Sequence, residues 1–243
     1  LGNLYLEGGQ YESAEKELRR ALEAGFAGER IMPLLARALN GQGEFKRMLD
    51  EIPQPPGGSP GEVELLVARA MAHLGLGQKE EARRSLELAL VIAPKHADTH
   101  LAYARLALAN RDLDAAFRAI DTALGHDPRH TDSWMLKGDL LRSAGQHKAA
   151  AAAYQSALKS DPQLVDARLA LAHIAIAENR LADARKEVDI VLKASTNNLQ
   201  GRYTQALIDF REQKIEAARE HLADVLKRAP DHLPSVLLGG SIE

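Results

Sequence analysis

The stretch that decides the fold is Trp134–Pro162, WMLKGDLLRSAGQHKAAAAAYQSALKSDP. Its landmarks recur along the chain at a fixed step of 34 residues. Ala150 shares a ladder with Ala14, Ala82, Ala116, Ala184 and Ala218, and Met48 fills the rung where alanine is missing. Pro162 shares one with Pro94, Pro128 and Pro230, with Thr196 on the vacant rung. Gly145 shares a third with Gly9, Gly43 and Gly77, whose other rungs are Arg111, Asn179 and Gln213. Three ladders with one step define an internal repeat, and a repeat decides the architecture before any local reading does.

Each rung has a physical role. The unit reads as two antiparallel helices, A then B, of roughly a dozen residues each. The glycine ladder falls just past helix A, where a chain reversal favours a residue without Cβ. The alanine ladder falls on helix B, where a small side chain lets the two helices approach. The proline ladder ends helix B, because proline cannot continue a helix and pushes its predecessor out of the αR region. Asp98, Asp132 and Asp166 then open the next helix A, where a carboxylate suits the positive dipole end. The expected fold is all-α: a single solenoid over 1–243, with units near 1–28, 29–62, 63–96, 97–130, 131–164, 165–198 and 199–232 and a partial one at 233–243. Stacked units share the core that no single unit can bury.

The second unit departs from the pattern. Its helix B starts at Glu44 and stops near Ile52, because Pro53, Pro55, Pro56, Gly57, Gly58, Pro60 and Gly61 follow. The ladder resumes in phase at Ala82, so the break reads as a bulge within one array rather than a linker between domains.

Composition agrees with helix and excludes several functions. Aromatic residues are only 4%, and the formal net charge is -3, which gives no global basic footprint for nucleic acid. No apolar run approaches the ~20 residues of a membrane span. Without cysteine there is no thiolate metal site, disulfide or cysteine nucleophile. No secretory leader is visible. The chain opens at Leu1 in mid-pattern without a methionine, as a fragment or an ordered core would.

Nine histidines raise the question of a metal. His96 and His100 stand four apart, as do His126 and His130, and His96, His130 and His232 share one repeat position. That position is a solvated link between helices. Successive repeats lie on the order of 10 Å apart, whereas zinc needs several ligands near ~2 Å. No Ser-His-Asp order, phosphate loop or His-Glu-x-x-His string appears. The expectation is no metal, no cofactor and no catalysis.

The pattern resembles the tetratricopeptide family, whose signature runs Trp, Leu-Gly, Tyr, Ala, Phe, Ala, Pro. Trp134, Gly138, Ala150, Tyr154, Ala157 and Pro162 match it, while Lys137 and Leu141 depart from its leucine and tyrosine. Leu1, Gly2, Tyr5, Ala14, Leu18 and Ala21 match it in the opening unit. The resemblance implies a right-handed superhelix that binds a protein or peptide along an inner groove lined by helix A. Carried onto this chain, the groove residues are Val67, Met71 and Leu74; Leu101, Arg105 and Leu108; Met135, Asp139, Arg142 and Ser143; Leu169, His173 and Ile176; and Tyr203, Leu207, Phe210 and Arg211. Val67, Leu101, Met135, Leu169 and Tyr203 stand where some members carry a carboxylate-gripping lysine. The implied groove is therefore mixed and rather apolar, suited to an apolar extended segment or an amphipathic helix, with A-to-A packing between repeats as the alternative use of the same stripe.

A narrower resemblance lies in GQYESAEKELRRALEAGFAGERIMPLLARALNGQGEFKRMLDEIP, residues 9–53. It looks like the tetratricopeptide lipoproteins of bacterial PEP-CTERM/exosortase systems, on Pro33 to Leu39, Gln42 to Phe45 and Leu49 to Ile52. This implies an envelope or periplasmic scaffold linked to exopolysaccharide production and protein sorting, with a lipid-bearing cysteine upstream of this segment. A cytoplasmic adaptor and an accessory domain of a larger enzyme stand as alternatives.

Overall fold

The computed structural model describes residues 1–55 and 57–242; Pro56 of the proline-rich break and the final Glu243 lie outside the described residues. Among the described residues there are fifteen helices and no strand. They fall into two compact units, Leu1–Pro128 and Arg129–Glu243.

The first unit holds α1 (Gly2–Glu7), α2 (Tyr11–Glu23), α3 (Gly28–Gly41), α4 (Phe45–Glu51), α5 (Glu62–Gly75), α6 (Lys79–Ile92), α7 (Ala97–Ala109) and α8 (Leu113–His126). The second holds α9 (Thr131–Ser143), α10 (His147–Ser160), α11 (Val165–Ala177), α12 (Leu181–Ala194), α13 (Leu199–Arg211), α14 (Ile215–Arg228) and α15 (Leu233–Gly240). Within each unit, odd helices take the A role and even helices the B role. From α5 to α14 each A helix pairs most extensively with the B helix that follows it, whereas α3 packs more on α2 and α5 than on α4.

The three ladders have the local structures their chemistry requires. Every rung of the glycine ladder has positive φ, including the non-glycine rungs Arg111 (61°), Asn179 (57°) and Gln213 (62°). The alanine ladder and Met48 are fully buried. The residue closing each full B helix in front of the proline ladder is extended, as at Asp127 (φ -132°, ψ 94°) and Ser195 (φ -144°, ψ 97°). Serine precedes Thr196 rather than a proline, so proline is not required for this exit.

Gly138 and Tyr154 show why the family signature pairs those residue types. A Cβ at Gly138 would fall 2.5 Å from the buried Tyr154 ring, so α9 can lie against α10 only without one.

The second repeat is short where the sequence breaks. α4 has seven residues against fourteen in α6. It is held from two sides. Glu15 of α2 accepts from Arg47 Nη2 at 2.6 Å and from Arg19 Nε at 2.8 Å, while Arg47 Nε donates to Glu51 at 2.7 Å and Arg19 also pairs with Glu51. From the other side, Arg69 of α5 donates to the Ile52 carbonyl at 3.0 Å. Pro33 sits inside α3 and cannot donate to Glu29, four residues earlier; Gly61, with φ 76°, packs against that turn, where a Cβ would meet Pro33 Cγ at 2.7 Å and the Glu29 carbonyl at 3.0 Å. α3 and α4 both pack on α5, so the array continues through the break inside the first unit.

Candidate functional site

The helix A residues named from the sequence divide into three groups. Leu101, Leu169 and Ile176 are core residues, with exposures of 3%, 5% and 4%. These three follow the packing alternative: Leu169 and Ile176 are enclosed with Ala172, Val188 and Ile208, and Leu101 is buried on α7. Here the helix A stripe serves packing between repeats.

The second group is apolar and half-buried, in the first unit. Val67, Met71 and Leu74 of α5 lie over a core of Ala70, Ala82, Leu86, Ala102 and Leu106, with Tyr103 of α7 beside them. Leu108 is half-buried and Arg105 is exposed. The Arg105 guanidinium reaches to 4.0 Å from Met71 Sδ, so these side chains form one surface. Tyr103 was not singled out from sequence; its ring is recognisable only once α7 is seen to turn that edge toward α5 and α6.

The third group lies in the second unit and is tied by directional bonds. Tyr154 Oη donates to Asp139 Oδ1 at 2.7 Å, and Arg142 Nε donates to Tyr154 Oη at 3.3 Å. Burial, then the bond to Asp139, pushes the Tyr154 phenol up to about 12. His173 Nε2 lies 3.3 Å from Thr204 Oγ1. Burial pushes its imidazole below the ordinary value, and Arg142 adds to the shift. Met135 packs against the Ala150, Tyr154, Ala167 and Ile174 cluster. Tyr203, Leu207 and Phe210 flank Ala206, Leu222 and Leu238, and Tyr203 meets the His232 ring edge-on at 5.3 Å. Ser143 and Arg211 are exposed.

The repeated histidines have a structural role that the sequence did not reveal. His96, His130 and His232 occupy the residue before a helix A, and each Nδ1 lies 2.7–2.9 Å from the hydroxyl of Thr99, Ser133 or Ser235. Those three hydroxyl residues are fully buried. The recurrence of Ser or Thr three residues after each histidine was the available signal. His100 Nε2 lies 2.8 Å from the Pro94 carbonyl. Among the described residues no group of three or more His, Asp or Glu is placed to hold a metal ion, and no helix is long and apolar enough to cross a membrane.

Consecutive helical hairpins with a 34-residue period define a helical-repeat protein. The tetratricopeptide repeat family model matches residues 1–47, 67–128 and 101–165, and a second model of the same description matches 141–208; the chain belongs to the tetratricopeptide repeat family. Among solved structures, PilF of Pseudomonas aeruginosa is similar at 20% identity and TM-score 0.65, covering 74% of this chain and 82% of that one. PilW, a type IV pilus biogenesis factor, is similar at 19% and 0.63, covering 74% and 84%. YrrB, a tetratricopeptide protein with an unusual peptide-binding site, is similar at 17% and 0.58, covering 81% and 97%. These likenesses establish the fold. No curated protein matches at the level of sequence. Proteins of this family bind protein or peptide partners and are generally non-catalytic scaffolds.

Proposed function

We propose that the chain is a non-catalytic scaffold of a bacterial envelope system for exopolysaccharide production and protein sorting, and that it holds an apolar segment of a protein partner on the helix A face of α5 and α7. The observation that carries the binding reading is the half-buried set Val67, Met71, Leu74 and Leu108, which a partner can finish burying. The envelope assignment rests on the likeness of residues 9–53 to PEP-CTERM/exosortase tetratricopeptide lipoproteins. In the second unit, Tyr203, Leu207 and Phe210 offer a smaller apolar face of the same kind.

The test is in-cell crosslinking followed by binding measurements with the purified partner. Met71→Glu with Leu108→Glu changes half-exposed positions, so helicity should be retained while affinity falls about ten-fold or more. Wild-type affinity in that variant would count against the face. Fractionation of the full-length protein away from membranes and periplasm would count against the envelope assignment alone.

A further inference from the structure

The outward face of α6 differs from that of every other full-length B helix. Leu88, Val91 and Ile92 are 47%, 81% and 48% exposed. At the repeat position of Leu88 the later repeats carry Thr122, Ser156, Ile190 and Asp224; at that of Val91, Gly125, Lys159, Lys193 and Lys227; at that of Ile92, His126, Ser160, Ala194 and Arg228. Twelve equivalent positions thus supply one large aliphatic side chain, Ile190, and it is half-buried. In the second repeat the same positions are Gln54, Gly57 and Gly58, which lie beyond the end of α4. The fold therefore does not require apolar residues here, and only the third repeat has three.

The charges around the strip are ordered as well. Arg84 lies one turn before Leu88 on the same face, and Lys95 lies just past the helix end. Both are exposed, and neither has an ion-pair partner among the described residues. Glu80 pairs with Arg83, and Glu87 lies near enough to Arg83 and Tyr103 for its charge to act on both. The result is an apolar turn with a cation at each end that makes no ion pair among the described residues.

We infer that the α6 strip, Arg84–Leu88–Val91–Ile92–Lys95, is a second docking surface, on the B helix, for an acidic amphipathic helix of a protein partner. Three neighbouring aliphatic side chains match the one-face anchors of such a helix, and carboxylates at its ends would meet Arg84 and Lys95. A second copy of this chain is a poorer occupant. Antiparallel self-pairing of α6 sets Arg84 beside the other copy's Lys95, and parallel pairing sets each cation against itself. An anionic bilayer would satisfy the cations, but the strip offers it only three apolar side chains to bury.

The experiment uses two synthetic helical peptides of about 14 residues, the length of a B helix, with one leucine stripe and either glutamates or lysines at both ends. Hydrogen exchange should slow over the C-terminal half of α6 with the acidic peptide. That peptide should bind at least about ten-fold more tightly than the basic one. Leu88→Ser with Val91→Lys and Ile92→Ser installs the fifth repeat's residues, so it should keep the fold and lose about ten-fold or more in affinity. Arg84→Glu with Lys95→Glu should reverse the peptide preference. Equal binding of the two peptides, binding of neither, or no loss in the triple variant would overturn the proposal. So would a sedimentation dimer that the triple variant abolishes, or strip-dependent binding to phosphatidylglycerol vesicles in place of the acidic peptide.

Discussion

The helix A faces of the third and fourth repeats and of the fifth and sixth use one register for two kinds of contact. On α5 and α7 the register presents Val67, Met71, Leu74 and Leu108, apolar side chains with no directional demand, beside Arg105. On α9 and α11 it presents Asp139 and Arg142, both bonded to Tyr154, and His173 against Thr204. The repeat fixes where a side chain points; residue identity then decides between adaptable apolar contact and a preset polar geometry. A partner on the first face can shift its register at little cost, whereas one on the second must satisfy or displace fixed hydrogen bonds.

The sharpest way to break this comparison is to misplace a charge in the layer beneath it. Leu101→Glu puts a carboxylate where the side chain is 3% exposed, and it should cost about 3 kcal/mol or more in urea unfolding. Met71→Glu, on the half-exposed layer, should cost less than about 1 kcal/mol. Equal costs would mean that the two layers are not distinct. Next in size is Ala150→Leu, which adds methylenes at a fully buried rung between α9 and α10. Overpacking there should cost roughly 1–3 kcal/mol, and unchanged thermal unfolding would contradict the role of the alanine ladder.

How much of this was legible in the sequence follows from what each residue depends on. The ladders depend on local backbone chemistry, so their register could be read directly; that Arg111, Asn179 and Gln213 take the same positive φ as the glycines came from the structure. Proline spacing alone foretold that α4 would end near Ile52. The candidate face was legible only in part. Periodicity places Leu101, Leu169 and Met71 on one stripe, but whether a neighbouring helix covers each is a tertiary fact. The Asp139–Tyr154–Arg142 network was hidden for the same reason: Tyr154 matched the family signature as a core aromatic, and nothing local shows that its hydroxyl emerges beside Asp139. The histidine–hydroxyl contacts could have been read from the Ser or Thr three residues on, had hydroxyl spacing been followed as closely as glycine spacing.

A smaller change separates packing from polarity on the second face. Tyr154→Phe keeps the ring against Gly138 and removes the donor to Asp139. Because Asp139 is half-exposed and water can replace the donor, the expected cost is about 1 kcal/mol. In a double-mutant cycle with Asp139→Ala, which removes the acceptor, the two costs should be non-additive. Full additivity would show that the hydrogen bond contributes nothing to stability.

The smallest effect distinguishes the two regions by pH. His173, in the second unit, has its imidazole pushed below the ordinary value by burial and by Arg142. The unfolded chain then takes up that proton first as pH falls, so the contribution is complete above about 6.5 and declines from there toward the folded value. Glu15, in the first unit, is pushed up by burial, but hydrogen bonds from Gln42, Arg19 and Arg47 outweigh this and hold its carboxyl below the ordinary range. Its contribution is complete above the ordinary carboxylate value and is lost only as pH falls through the lower folded value. The partly exposed Arg19 and Arg47 that face Glu15 are screened by solvent, which keeps that contribution small. Urea midpoints between about pH 7.5 and about pH 3.5 should show the His173→Asn difference opening in the upper part of that range and the Glu15→Gln difference in the lower part. Coincident windows would mean that the two regions do not differ in how their polar groups are held.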